Sequence, residues 1–168
     1  MVYIALSIAG LVVASVQAAA YYYFQKSYPV ASTSSDPCTN SGISKPASLI
    51  AVNALINYGN GTMRWYNETI PTGWNTYQLT LHLTNCHVQA DYYGPPLSEH
   101  LVHAINGVAN SGSFSWWLWT FCQTRDAWVS SGVGADQVQL SNGQTIAWAY
   151  AKSTLQPPIL GTKTAGSC

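Results

Sequence analysis

The stretch VYIALSIAGLVVASVQAAAYYYF, residues 2–24, is the starting point for interpreting the rest of the chain. It contains no charged side chain, and the first one appears at Lys26. At about 1.5 Å per residue, a helix over this stretch is about 35 Å long, which is enough to cross the hydrocarbon core of a bilayer. The sequence therefore predicts a hydrophobic helix over residues 1–28, as a filament core or a membrane anchor.

Two alternatives to a retained helix follow from the same residues. The small residues 18–20 would suit cleavage of a secretory signal, but the positively charged start that such signals carry is missing. Large side chains at even positions and small ones at odd positions, as in Ile4, Ala5 and Leu6, are also typical of a strand. An extended donor strand given to a neighbouring subunit is therefore a variant, although the three alanines favour a helix.

Small residues recur along the predicted helix. They are Ala5, Ala9, Gly10, Ala14 and Ala18. Such residues let helix backbones approach closely, so their spacing predicts packing against other helices. A hydrophobic helix at the start of the chain, followed by a β-rich head, resembles a mature type IV pilin of the archaeal kind. The resemblance implies a structural subunit of an extracellular, cell-surface filament for adhesion, which packs against copies of itself and lies in the membrane before assembly.

Charge is scarce over the whole chain. Charged residues make up 7% of it, against about 25% in ordinary soluble domains. Six basic side chains balance six acidic ones, so nothing is basic enough to follow a phosphate backbone and nucleic acid is not an expected partner. A neutral surface rich in Ser, Thr and Asn suits an exposed, extracellular environment.

The cysteines are widely spaced and form no CxxC pair. They are Cys38, Cys86, Cys122 and Cys168. Together with an export-like N-terminus, they predict two disulfides rather than a zinc site. Of the three connectivities, the preferred one joins Cys86 to Cys122, as a bridge between two core strands, and Cys38 to Cys168.

A linker separates the predicted helix from the head. Residues 29–47 are rich in Pro, Ser and Thr, and proline at position 29 disfavours helix at the residue before it. Residues 48–168 are long enough for one domain with its own core. The predicted fold class is therefore α+β, with a long N-terminal hydrophobic α-helix followed by an antiparallel β-sandwich-like head domain.

The head begins with two predicted strands and two glycosylation sequons. Residues 48–58 form an apolar run that predicts a strand, and residues 63–67 predict a second one after a Gly-Asn-Gly turn. The sequons at Asn60 and Asn67 predict N-linked glycans if the chain is exported.

The next stretches differ in how clearly they predict structure. Residues 77–88, YQLTLHLTNCHV, alternate apolar with polar side chains and predict a half-buried strand. Residues 98–108, SEHLVHAINGV, fit either a short helix capped by Ser98 or a strand that ends at Asn106. On a helix, His100 and His103 would lie one turn apart near Glu99, but no further ligand accompanies them, so no metal site is predicted.

Two later stretches complete the head. Residues 113–124, SFSWWLWTFCQT, are apolar on both faces, which is typical of a strand covered on both sides. Exposed tryptophans that stack on sugars are the alternative, and a core position is favoured. Residues 137–150 predict a hairpin that turns at Asn142 and Gly143, with Gly143 left-handed and Val138 opposite Ile146.

Four short segments carry a second resemblance. They are AINGV at residues 104–108, WWLW at 116–119, SGVGAD at 131–136 and NGQTIAW at 142–148. Their order and spacing resemble the small β domains similar to the C-terminal domain of transcobalamin, over about residues 48–150. The resemblance implies a surface or secreted β module. It does not imply cobalamin binding, because two domains of transcobalamin supply those contacts.

The sequence contains no catalytic signature. It lacks a GxSxG elbow, a glycine-rich phosphate loop and an HExxH motif, so neither an enzyme nor a cofactor is predicted. The main functional prediction is the filament subunit, with donor-strand assembly as a variant. The alternative is a membrane-anchored or secreted β domain that binds a glycan or small ligand through its Tyr and Trp side chains.

Overall fold

The computed structural model describes residues 37–38, 48–152 and 157–158. The chain divides into two units, Met1–Thr33 and Ser34–Cys168, and all described residues belong to the second. The elements are β1 (Leu49–Asn57), β2 (Met63–Pro71), α1 (Thr76–Leu83), β3 (Val88–Tyr93), β4 (Glu99–Ile105), β5 (Val108–Ala109), β6 (Ser115–Cys122), β7 (Ala127–Ser130), a 3-10 helix (Ala135–Gln137) and β8 (Thr145–Ala151).

The strands form two sheets. The larger has the order β2-β1-β8-β6-β7, and the smaller has the order β3-β4-β5. β8 is the last strand in the chain but lies at the centre of the larger sheet, parallel to β1 and antiparallel to β6. A central strand is covered on both faces, and accordingly the side chains from Thr145 through Ala149 are all buried.

The core lies on one face of the larger sheet. Ile56 of β1 and Ile146 of β8 pack there in one cluster with Leu79 of α1 and Ile105 of β4, and each is at most 1% exposed. We call this the core-side face. The opposite, outer face is also apolar, and Trp119 is buried there.

The predicted α+β class is wrong. The part of the chain that the structure describes is mostly β, and α1 is the one α-helix in it. The larger sheet is mixed rather than antiparallel, because β1 and β8 run parallel. The helix predicted over residues 1–28 lies outside the described residues, as does nearly all of the linker over residues 29–47. The same holds for the predicted packing residues Ala5, Ala9, Gly10, Ala14 and Ala18.

Within the described ranges, no helix is long and apolar enough to span a membrane.

The strand predicted over residues 77–88 is wrong, because this stretch begins with α1. Asn75 caps the helix: its side chain accepts a hydrogen bond from the Gln78 backbone N–H, and the Gln78 side chain accepts one from the Asn75 N–H, both at 2.9 Å. Thr76, Leu79 and Thr80 are buried on one helical face. Apolar alternation over so few residues fits helix and strand alike, and the capping box decides between them.

The hairpin predicted over residues 137–150 is also wrong. Its turn is present, and Gly143 has a φ of 80°. However, Gln139 forms an isolated bridge with Asn75, and β8 pairs with β1 and β6. An apolar central strand needs a partner on each side, and a hairpin supplies only one. The pairing of β8 with β1 and β6 therefore prevails over the local hairpin.

Other strand predictions are confirmed. β1 and β2 cover the two stretches predicted at the start of the head. Residues 98–108 take the strand alternative as β4, which ends just before a turn at Asn106. β6 buries side chains on both faces, with Trp116 and Trp119 at 5% and 4% exposure, so the core position expected for these tryptophans is confirmed.

Disulfide bonding is confirmed, but the preferred connectivity is wrong. Cys38 is bonded to Cys86, with an S–S distance of 2.04 Å. Cys122 is also disulfide-bonded, and Cys168 lies outside the described residues. The reason is that Cys86 lies in the turn after α1, with its N–H bonded to the Leu81 carbonyl at 2.8 Å, and not in a core strand.

We expect Asn75→Ala to lower the free energy of unfolding by about 1 kcal/mol, because it leaves the first turn of α1 without its side-chain acceptor. Denaturant unfolding of the purified protein measures this change. Gln123→Ala, at an exposed turn, is the matched control and should leave the unfolding midpoint unchanged. Equal midpoints for all three proteins would show that the capping box does not stabilise α1.

Candidate functional site

β6 presents two different surfaces on its core-side face. Trp116 and Leu118 point to that face and belong to the core. The next residue on the same face, Thr120, is polar and half-buried. Two clefts lie along this face, one beside the apolar end of β6 and one beside the polar end.

The first cleft has a volume of about 400 Å³ and lies between β4, β6 and the loop of residues 131–135. We call it the inter-sheet cleft. Its buried lining is apolar and consists of Val102, Trp116, Leu118, Ala135 and Trp148. Leu101 and Val133 also line it, and each is 53% exposed. The cleft therefore has an apolar floor with the half-exposed Val133 beside it, and Glu99, His100 and Ser131 form the polar part of its lining.

The two tryptophans of this floor have no polar atom to offer a ligand. The Trp116 indole N–H donates to the Val108 carbonyl at 2.8 Å. The Trp148 indole N–H donates to the Thr80 hydroxyl, also at 2.8 Å. Because both donors are engaged inside the core, the indoles line the inter-sheet cleft with carbon surface.

Hydrogen bonds fix the loop to the start of β4. The Glu99 carboxylate accepts a hydrogen bond from the Gly134 N–H at 2.7 Å. The His100 backbone N–H donates to Asp136 Oδ1 at 2.7 Å, and His100 Nδ1 lies 2.5 Å from Asp136 Oδ2. We call these three contacts, from Glu99 and His100 to residues 134–136, the β4 bracket.

Aromatic rings hold the His100 imidazole in place. Tyr77 stacks on it, with ring centroids 4.2 Å apart and planes 9° apart. The Tyr92 ring is tilted against the imidazole, with ring centroids 4.9 Å apart. β4 as a strand places His103 on the opposite face, where its Nδ1 lies 3.4 Å from Asp91 Oδ2. The structure therefore does not bring the two histidines together as a helix would have done.

The second cleft has a volume of about 510 Å³ and lies beside the C-terminal end of β6. We call it the polar cleft. Its polar lining side chains are Thr120, Arg125, Gln137, Gln139, Ser141 and Gln144. Cys122, one of the predicted disulfide cysteines, also lines it.

The remaining predicted site residues lie elsewhere. Asn60 is exposed in the turn after β1, and Asn67 is exposed on β2, so glycosylation at both stays a prediction. Both clefts were missed at the sequence level. The signals that could have indicated them are the glycines of residues 131–136 and the change from apolar to polar residues along alternate positions of β6.

Comparisons with known proteins identify no family. No family model and no curated protein matches the chain. Two solved structures are similar to it, each with a TM-score of 0.49. One is a protein from Ruminococcus gnavus described as a candidate metal-binding protein, with 10% identity over 62% of this chain and 98% of the other. The second is haptocorrin in complex with Cbi, with 15% identity over 66% of this chain and 27% of haptocorrin.

The chain thus spans about a quarter of haptocorrin and nearly all of the bacterial protein. No family model, of pilins or of transcobalamin-like domains, matches the chain. Similarity at this level does not establish a function.

We expect Gly134→Ala to disrupt the β4 bracket. An added Cβ would lie 2.6 Å from Glu99 Cβ, so the loop or β4 has to move. The expected loss is about 1 to 3 kcal/mol of unfolding free energy, as for other overpacked sites. Gly132→Ala in the same loop is the matched control, because its added Cβ meets nothing within 4 Å. Equal denaturant midpoints for the two variants would contradict this account of the loop.

Proposed function

We propose that the protein is a membrane-anchored or secreted β-domain binding module that holds a small ligand in the inter-sheet cleft. The observation that carries the proposal is the apolar floor with a half-exposed apolar residue of the loop, Val133, beside it. A cleft of about 400 Å³ falls within the range of about 300 to 1,000 Å³ that small-molecule sites occupy. The β4 bracket supports the proposal further, because it holds the loop in place before a ligand arrives.

The chemistry of the lining favours a ligand with a flat apolar face over a glycan. A sugar needs hydrogen-bond partners for its hydroxyl groups as well as a ring on which to stack. The indole N–H groups of Trp116 and Trp148 are already engaged. The polar residues of the lining each have a partner within the protein: Glu99 Oε2 accepts from the Gly134 N–H, His100 Nδ1 contacts Asp136, and the Ser131 hydroxyl donates to the Val133 carbonyl. Aromatic or alicyclic ligands give up few hydrogen bonds to water when they enter such a cleft. Burial of their carbon area supplies the binding free energy.

The filament function is not part of this proposal. It depends on residues 1–28, which lie outside the described range, and no family model matches the chain. We propose an extracellular, cell-surface location on the strength of the low charge, the disulfides and the hydrophobic N-terminal segment. We also propose N-linked glycans at Asn60 and Asn67 and no catalytic role.

The uncharged fluorescent amine N-phenylnaphthylamine is a suitable probe for the inter-sheet cleft. We expect it to bind the protein with enhanced fluorescence. Val133→Asn should weaken binding about tenfold, which corresponds to about 1.4 kcal/mol of lost apolar contact.

Leu97→Asn is the matched control, because Leu97 is 55% exposed and does not line the cleft. It should bind the probe like the unchanged protein. If both variants bind equally well, or if the unchanged protein does not bind the probe, the proposed site is wrong.

A further inference from the structure

The polar cleft has a chemistry quite different from that of the inter-sheet cleft. Thr120 of β6 and Val129 of β7 lie directly opposite each other in the sheet and form one wall. Residues of the segment 137–144, which runs over the same face, form the other wall. The turn between β6 and β7 contributes Arg125, which is the only charged side chain among the described residues that line the cleft.

Backbone hydrogen bonds hold the second wall in place. The Thr76 N–H donates to the Val138 carbonyl at 2.9 Å, and the Leu140 N–H donates to the Trp74 carbonyl at 3.0 Å. These bonds tie the wall to the segment just before α1. The wall therefore does not have to be ordered when a ligand binds, which lowers the entropic cost of binding.

Several polar groups of the cleft are available to a ligand. Gln137 and Gln139 each donate through Nε2 to a backbone carbonyl, at 3.1 and 3.2 Å, which leaves their Oε1 atoms as acceptors. Gln144 accepts through Oε1 from the Ser141 N–H at 2.9 Å, which leaves its amide N–H groups as donors. Acceptors and donors thus occur in the same cleft.

Thr120 and Arg125 complete this set. Within the ranges that the structure describes, neither the Thr120 hydroxyl nor the Arg125 guanidinium has a hydrogen-bond or ion-pair partner. Asp126, the neighbour of Arg125 in the chain, forms no ion pair with it in the described structure, and Asp136 is engaged by His100 in the β4 bracket. The positive charge of Arg125 is therefore open to an anion.

We propose that the polar cleft binds a sugar acid, with the ligand carboxylate on Arg125 and its hydroxyl groups on Thr120 and the three glutamine side chains. A guanidinium pairs with a carboxylate through two parallel hydrogen bonds. Hydroxyl groups both donate and accept, so they match the mixed set of amide groups. The exposed face of Val129, together with Val138, lies against the C–H groups of the sugar ring. This site is separate from the inter-sheet cleft and does not depend on the function proposed for it.

Isothermal titration calorimetry with D-glucuronate at low ionic strength tests the proposal on the full chain. We expect D-glucuronate to bind at millimolar concentrations or below and at least about tenfold more tightly than uncharged D-glucose, because only the acid can use Arg125. Arg125→Gln should abolish this preference.

Arg64→Gln is the matched control, because Arg64 is an exposed arginine on β2 that does not line the cleft. It should bind D-glucuronate like the unchanged protein, and unchanged thermal unfolding of both variants ensures that they are folded. Equal affinity for the two sugars, equal binding by the unchanged protein and Arg125→Gln, or no binding at millimolar concentration would each overturn the proposal.

Discussion

The contact between His100 and Asp136 is the interaction on which both clefts depend. β5 pairs only with Ala104 and Ile105, so the first residues of β4 have no strand partner on that side within the described chain. An unpaired strand edge leaves backbone donors open. Asp136 accepts a hydrogen bond from the His100 backbone N–H and also contacts the His100 ring. The Asp136 carboxylate thus takes the place of a neighbouring strand as the partner of this backbone donor.

This contact fixes the middle of the segment that crosses β6. Residues before Asp136 line the inter-sheet cleft, and residues after it form a wall of the polar cleft. Ala135 is 2% exposed and packs into the core beside the bracket. Together with the backbone bonds of Val138 and Leu140 to the segment before α1, this contact lets one stretch of chain provide an apolar surface on one side and an amide-rich surface on the other. The change from Leu118 to Thr120 on β6 matches that division.

The sequence predicted individual strands better than their partners. β1 and β6 were found because continuous apolar residues indicate burial on both faces. The helix α1 is not predicted by the alternation of its leucines, because eight such residues fit a helical and a strand period equally well, and only the capping box from Asn75 to Gln78 distinguishes the two. The pairing of β8 with β1 could not be predicted locally, since it joins residues far apart in sequence, whereas the turn at Gly143 favours a hairpin.

The clefts could be predicted even less from the sequence. The requirement for glycine at position 134 comes from the close approach of Glu99, and that approach exists only once the two sheets are assembled. Likewise, Arg125 and the glutamines come from separate segments that meet over one face of β6. One of the four segments that carry the resemblance to transcobalamin-like domains, residues 131–136, contributes Gly134 and Asp136 to the β4 bracket, but the motif alone does not reveal what these residues contact.

The most direct measurement is fluorine NMR of the protein labelled with 5-fluorotryptophan, during titration with N-phenylnaphthylamine. Seven tryptophan signals are expected, and single Trp→Phe variants assign them. If the inter-sheet cleft is the binding site, the signals of Trp116 and Trp148 shift with added probe, while those of Trp65 and Trp128, which do not line it, stay in place. Shifts confined to Trp65 or Trp128, with Trp116 and Trp148 unchanged, would contradict the account.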